Sequence, residues 1–237
     1  MVRALLRSRA AVGCTLLGAA AVGAVAAIGW QLAMVLHASA VSVHPLFLGG
    51  LGRLLYLVLL VVVAALVSLV WYPFGAGVAY AVGRQARGGT ATLGGTLAAV
   101  RNAAVPLARW LKTRVAVGPL AEYVVSEDDV APNEIVVGCE AFVVPAVVLD
   151  SPTSLARGVD RANRVPPEPG RERVVFGGLA VTVLLVVAVA AGGVLSTPLS
   201  ASLAVSLSVA LAVLGLVATV AIDAAWRARA YATAESL

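Results

Sequence analysis

Charge is what this sequence has least of: Asp, Glu, Lys and Arg make up 12% of its 237 residues, about half the share of an ordinary soluble domain. So few ionised groups cannot clothe a water-soluble surface. Histidine is rarer still, with only His37 and His44, and without a nearby acid or cysteine they make a poor metal pair. The two cysteines, Cys14 and Cys139, form no CxxC and no disulfide framework, and read as small apolar fillers. Gly88-Gly89 and Gly94-Gly95 lack the Lys-Ser/Thr of a phosphate loop and read as flexible punctuation. No metal and no cofactor is expected, and no catalytic set emerges.

What is present is apolar: hydrophobic residues reach 61% and the mean hydropathy is +0.98. They are gathered into four runs, 10–36, 54–70, 174–195 and 201–222, each close to the ~20 helical residues that cross a ~30 Å hydrocarbon core. The first is too long for the core of a cleaved leader, although Ala38-Ser39-Ala40 has the small-x-small form of a cleavage site. Pro73 marks a kink or the end of the second run, whose helix resumes towards Gly83. The short link 196–200 makes the last two runs a helical hairpin. Trp71, Tyr72 and Trp226 suit an interfacial aromatic belt, and Ala19, Gly23 and Ala27 form a small-residue seam for close helix packing, either within the chain or between chains.

The expected fold is therefore all-α, an integral membrane bundle of four transmembrane helices with a cytoplasmic segment of amphipathic helices between spans 2 and 3. Its domains are 1–83, a transmembrane pair with external loop 37–53; 84–173, cytoplasmic or interfacial; and 174–237, a second hairpin with a short tail. Orientation follows from the basic residues. Sixteen of the seventeen Lys and Arg residues lie before the first run, within 84–173 or after the fourth; Arg53 is the exception. The positive-inside bias then puts both termini and 84–173 in the cytoplasm of a plasma-membrane protein.

Within 84–173, Leu93, Leu97, Val100, Ala104, Leu107, Leu111 and Val115 recur at steps of three and four, which makes one helical face apolar. Arg101, Arg109 and Lys112 share an adjoining sector, the pattern of a helix lying in the interface or packed on the ends of the spans. Pro106 bends or splits it. Residues 103–125 do not span, because three basic residues cost roughly 7–10 kcal/mol there and the larger aliphatics return about 2–4. The run 135–149 nearly balances on the same scale and reads as re-entrant or interfacial. After it, Asp150 or Ser151 is placed to cap a helix starting at Pro152. Arg157, Arg161 and Arg164 form a stripe along that helix, with Asp160 able to pair with Arg164. The stripe is either an anionic-lipid or partner contact or a solvated face.

The stretch Ala141-Phe142-Val143-Val144-Pro145-Ala146-Val147-Val148-Leu149-Asp150, with Ala156-Arg157 and Arg161 after it, resembles the aliphatic-Pro-aliphatic-acid signature of a group of prokaryotic multi-span proteins. These are similar to the membrane domain attached to some glycerophosphodiester phosphodiesterases. The resemblance covers roughly 84–165, includes no phosphodiesterase domain and implies no catalytic or binding residue. Where such proteins carry further membrane segments, this chain has Ser126-Glu127-Asp128-Asp129, so four spans are expected rather than six.

A proton or ion pathway would place ionisable groups at membrane depth, and the four runs hold none between their ends; Asp223 follows the last and is set to pair with Arg227. Ser202, Ser206 and Ser208 read as packing residues rather than a pore lining. Glu122, Glu134 and Glu140 lack a nucleophile or histidine and read as partners of nearby basic groups. The expectation is a non-enzymatic membrane scaffold or accessory subunit. Its partners would be anionic lipid headgroups, a second copy or another membrane protein, and not nucleic acid. A permease-like or channel subunit is the alternative, and a lipid-modifying enzyme the third. The topology has a direct test: a cysteine placed at Glu127 should resist an impermeant thiol reagent in intact cells and react after permeabilisation. Labelling before permeabilisation would refute the four-span orientation.

Overall fold

The computed structural model describes residues 2–42, 51–115, 136, 138–150, 154–166, 171–195 and 201–234. The 196–200 link, His44, Glu122, Glu134, the 126–129 acids, the 167–169 prolines and the cap expected at 151–152 lie outside these residues. Among the described residues the chain is all-helical, without strands. In chain order the helices are α1 (Val2–Arg7), α2 (Arg9–Ser42), α3 (Leu51–Ala86), α4 (Leu93–Asn102), α5 (Ala104–Val115), a 3-10 turn (Cys139–Phe142), α6 (Val143–Asp150), α7 (Leu155–Asn163), α8 (Arg171–Leu195) and α9 (Ala201–Ala234).

Among the described residues three stretches are long and apolar enough to cross a membrane: Arg9–Leu36, Leu54–Ala86 and Ser206–Ala234. In α8 the described apolar stretch is the shorter Val174–Val189. Large side chains along these helices are turned outward, with Val61 69% and Leu184 68% exposed. No residue of the most apolar 18-residue window of α3 is buried. Exposing so much contiguous apolar surface to water is unfavourable by about 25 cal/mol per Å², so these faces suit hydrocarbon. The hydroxyls of Thr15 and Ser68 donate to Ala11 O and Ala64 O one turn back, at 2.9 and 2.8 Å. Satisfied on their own helix, they carry no polar demand into the apolar surroundings.

Two compact units emerge from the contacts. The first comprises Met1–Thr15, Gly75–Ala180 and Ala218–Leu237; the second comprises Leu16–Phe74 and Val181–Val217. In the second unit the helices approach closely at glycines. A Cβ on Gly18 would lie 2.7 Å from the Trp71 ring, one on Gly29 2.7 Å from Val63, and one on Gly215 2.4 Å from Thr182. Gly23 meets nothing within 4 Å, so within the chain the close packing does not fall on the Ala19-Gly23-Ala27 seam. Those residues instead line an apolar concavity of about 360 Å³.

The first unit has a true core. Phe142, Val143, Val147, Val148, Leu155, Val78 and Tyr231 are almost completely buried, and the Phe142 and Trp226 rings stack 6.3 Å apart. Trp226 is thus a core residue, 7% exposed, rather than an interfacial anchor. Within the apolar run 135–149, Val143, Pro145, Ala146, Val147 and Val148 are covered by protein. α4 and α5 pack against α6, and α5 also against α7.

The amphipathic helix expected from 93 to 115 is split at Ala103. Pro106 has no N–H to offer the Asn102 carbonyl four residues back, and its ring crowds that carbonyl, so the break falls one turn upstream of the proline. The buried face consists of Thr96, Val100, Ala103, Leu107, Trp110 and Thr113, while Leu93 and Leu97 are over a third exposed. The threonines can be buried because their hydroxyls donate to Thr92 O and Arg109 O on their own helices.

The end of α3 is also more defined than flexible punctuation. Gly89 N donates to Arg84 O at 2.9 Å and Gly88 N to Gln85 O at 3.1 Å, with Gly88 at φ 76°. This pairing is a Schellman cap, and it fixes Arg87 at the helix terminus. Gly88→Ala should cost about 1–2 kcal/mol because an L side chain is strained at that φ. Gly94→Ala, in the open first turn of α4, should gain up to about 1 kcal/mol from helix propensity. Thermal unfolding of the two variants in one detergent should shift in opposite directions; parallel shifts would contradict the assigned cap.

Candidate functional site

α6 ends on Asp150, an awkward place for a carboxylate, because the C-terminal end of a helix already carries roughly half a negative charge. The first unit resolves this by bringing cations to it from two other places in the chain. Arg87, at the cap of α3, places Nη1 2.7 Å from Asp150 Oδ1, and Arg161, in the last turn of α7, places Nη1 3.2 Å from Oδ2. Tyr231 of α9 donates its hydroxyl to Oδ2 at 2.5 Å. The Arg87 guanidinium also lies over the Tyr231 ring, 5.7 Å from its centroid. Tyr231 is fully buried, and its hydroxyl needs this acceptor.

Burial alone would push the Asp150 carboxyl up. The hydrogen bonds from Arg87 and Tyr231 and the charges of Arg87 and Arg161 outweigh it, and its pKa lies below the ordinary carboxylate value. With a side chain 10% exposed, Asp150 is therefore a largely covered carboxylate held ionised by two guanidiniums and a phenol. It does not cap the following helix. α7 begins at Leu155 after Ser154, which makes no side-chain cap.

The six basic residues singled out in the sequence fall in three settings. Arg101 is exposed near the end of α4, while Arg109 and Lys112 are half-buried on α5. The break at Ala103 separates Arg101 from the other two, so the three do not share one continuous helix. On α7, Arg157 is exposed, Arg161 joins Asp150, and Arg164 pairs with Asp160 at 2.6 Å. The Asp160 and Asp223 pairings expected from i,i+4 spacing are both present, the latter with Arg227. Glu140 pairs with Arg114 at 3.0 Å, and Arg114 stacks over Trp110.

Arg87 and Tyr231 went unnoticed in the sequence because each meets Asp150 across a long stretch of chain, 63 and 81 residues away. The one local signal was a tyrosine in an otherwise small-residue tail. Cys139 is buried, and its thiol donates to Val165 O at 3.5 Å. Burial first, and then the Glu140 charge, push that thiol up, which fits a packing role better than a nucleophile. Among the described residues no three metal-binding side chains come together. In the second unit, the concavity flanked by Ala19, Ala27, Trp30, Ser206 and Val213 is chiefly apolar.

No family model, curated protein or solved structure matches the chain. The functional reading rests on its own residues.

Asp150→Asn should destabilise the protein by about 2–3 kcal/mol. That is below the 3–5 of a fully buried pair, because the two arginine side chains are 27% and 42% exposed. Tyr231→Phe should cost about 1.5–2 kcal/mol, the worth of a hydrogen bond to a charged group. Because the folded pKa of Asp150 is depressed, its contribution is complete above the unfolded value of about 3.9 and fades as pH falls through the folded one. Unfolding followed from pH 6 down to 2 should show a gap between wild type and Asp150→Asn that narrows below about pH 4. A gap that is constant with pH would contradict the ionised carboxylate.

Proposed function

We propose that this chain is a four-span plasma-membrane protein with both termini and residues 84–173 in the cytoplasm, acting without catalysis as a membrane scaffold or accessory subunit. In this reading the segment between spans 2 and 3 is a platform that touches anionic headgroups or a partner protein. The observation that carries it is the Asp150 cluster. One carboxylate ties the cap of α3 and the end of α9 to α6 and α7, so the intervening segment is held to the ends of two membrane-length helices rather than tethered loosely.

The distribution of basic residues supports the same orientation. Arg101 and Arg157 are exposed and Arg109 is half-buried, and long basic side chains near helix ends reach for headgroups while their stems cover apolar surface. A permease or channel would call for polar lining at mid-membrane. The concavity of the second unit is lined chiefly by Ala, Gly, Val and Leu, which favours the scaffold reading.

The test is lipid selectivity of the whole chain. Reconstituted into nanodiscs of phosphatidylcholine and phosphatidylglycerol and then extracted gently, the protein should retain phosphatidylglycerol in excess. Arg101→Gln, Arg109→Gln and Lys112→Gln together should reduce that excess several-fold, since each basic residue near an anionic surface contributes about 1 kcal/mol. Salt should shrink the difference, with exposed charges screened beyond about 10 Å at 0.1 M. Equal retention by wild type and triple variant at low salt would remove the headgroup contact from these residues.

A further inference from the structure

Beside the Asp150 cluster lies an open polar cavity of about 520 Å³, lined by Asp150, Arg161, Arg164, Val165 and Ala234. Its volume falls within the range of small-ligand sites. Two of its five lining residues are arginines, Arg161 in the last turn of α7 and Arg164 at its C-cap. Both already touch a carboxylate, yet neither is used up. Arg161 reaches Asp150 and Arg164 reaches Asp160 through one nitrogen each, and a guanidinium carries five N–H donors.

The charge balance decides what the cavity favours. Asp150 has both oxygens engaged, Oδ1 by Arg87 and Oδ2 by Arg161 and Tyr231, so it presents little unmet acceptor to an incoming group. Among the described residues that line the cavity, two guanidiniums, Arg161 and Arg164, stand against one carboxylate, Asp150. The C-terminal end of α7 subtracts roughly half a charge, less than that excess. An anion with several oxygens can accept from two guanidiniums at once, as phosphate does. The exposure of the Arg164 side chain, 74%, leaves it free to swing onto such a group.

We propose that this cavity is a phosphate subsite in which Arg161 and Arg164 grip a phosphomonoester, carried either by a lipid headgroup or by a free anion. The proposal rests on the headgroup reading above and narrows it to one place. Arg161 is held by its structural partner, whereas Arg164 is the adjustable donor. Asp160 competes with the ligand for it.

The experiment uses the full chain in neutral detergent. Phosphatidic acid is titrated by native mass spectrometry and inorganic phosphate by calorimetry. Arg164→Gln should weaken phosphatidic acid binding about tenfold, the equivalent of one charge-assisted hydrogen bond. Asp160→Asn, which frees Arg164, should tighten it, and Arg229→Gln, exposed on α9 and outside the cavity lining, should change it less than about twofold. The same ordering of variants with inorganic phosphate assigns the subsite to a free anion as well. That ordering with phosphatidic acid alone assigns it to the headgroup. Equal losses in Arg164→Gln and Arg229→Gln would overturn the subsite while leaving the headgroup reading intact. If no variant or wild type preferred phosphatidic acid to phosphatidylcholine, both would fall.

Discussion

A buried carboxylate at the C-terminal end of a helix is a liability, and the first unit is organised around answering it. Asp150 faces a helix dipole of its own sign, loses most of its hydration and has no partner within its own helix. Stability returns only when Arg87, Arg161 and Tyr231 arrive together. Each arrival fixes a larger element. Arg87 is aimed by the Schellman cap of α3, Arg161 by the last turn of α7, and Tyr231 by the buried side of α9. Removing the carboxylate leaves two guanidiniums and a phenol to be rehydrated, so the cost is shared by every element that converges there.

The two units use different means of cohesion. The second relies on glycines that bring backbone and side chain together, as at Gly18 against Trp71 and Gly29 against Val63, a mode of packing that suits helices apolar enough for hydrocarbon. The first buries aromatic and branched side chains and adds ion pairs. Arg114 with Glu140, and Arg227 with Asp223, belong to the same pattern.

The helical class and the apolar runs were legible because run length and hydropathy are local quantities. The i,i+4 pairs of Asp160 with Arg164 and Asp223 with Arg227 were legible for the same reason. The helix break was half legible, since Pro106 announces a disturbance but the lost carbonyl partner lies one turn upstream. Valine-rich 143–148 was half legible: its apolar character was plain, but hydropathy does not distinguish lipid from protein as the burying medium, and these side chains are largely covered by protein. The Asp150 cluster was illegible, for its partners come from far along the chain and follow no periodicity.

Whether that cluster acts as one unit is open to a double-mutant cycle on Arg87 and Asp150, with Arg87→Gln, Asp150→Asn and the pair compared by unfolding in the same detergent. If the carboxylate organises the first unit, the two changes should be strongly non-additive, with a coupling of about 1–3 kcal/mol and the double variant little worse than Asp150→Asn alone. Additive losses within about 0.5 kcal/mol would show that the two side chains contribute independently, and would contradict the account.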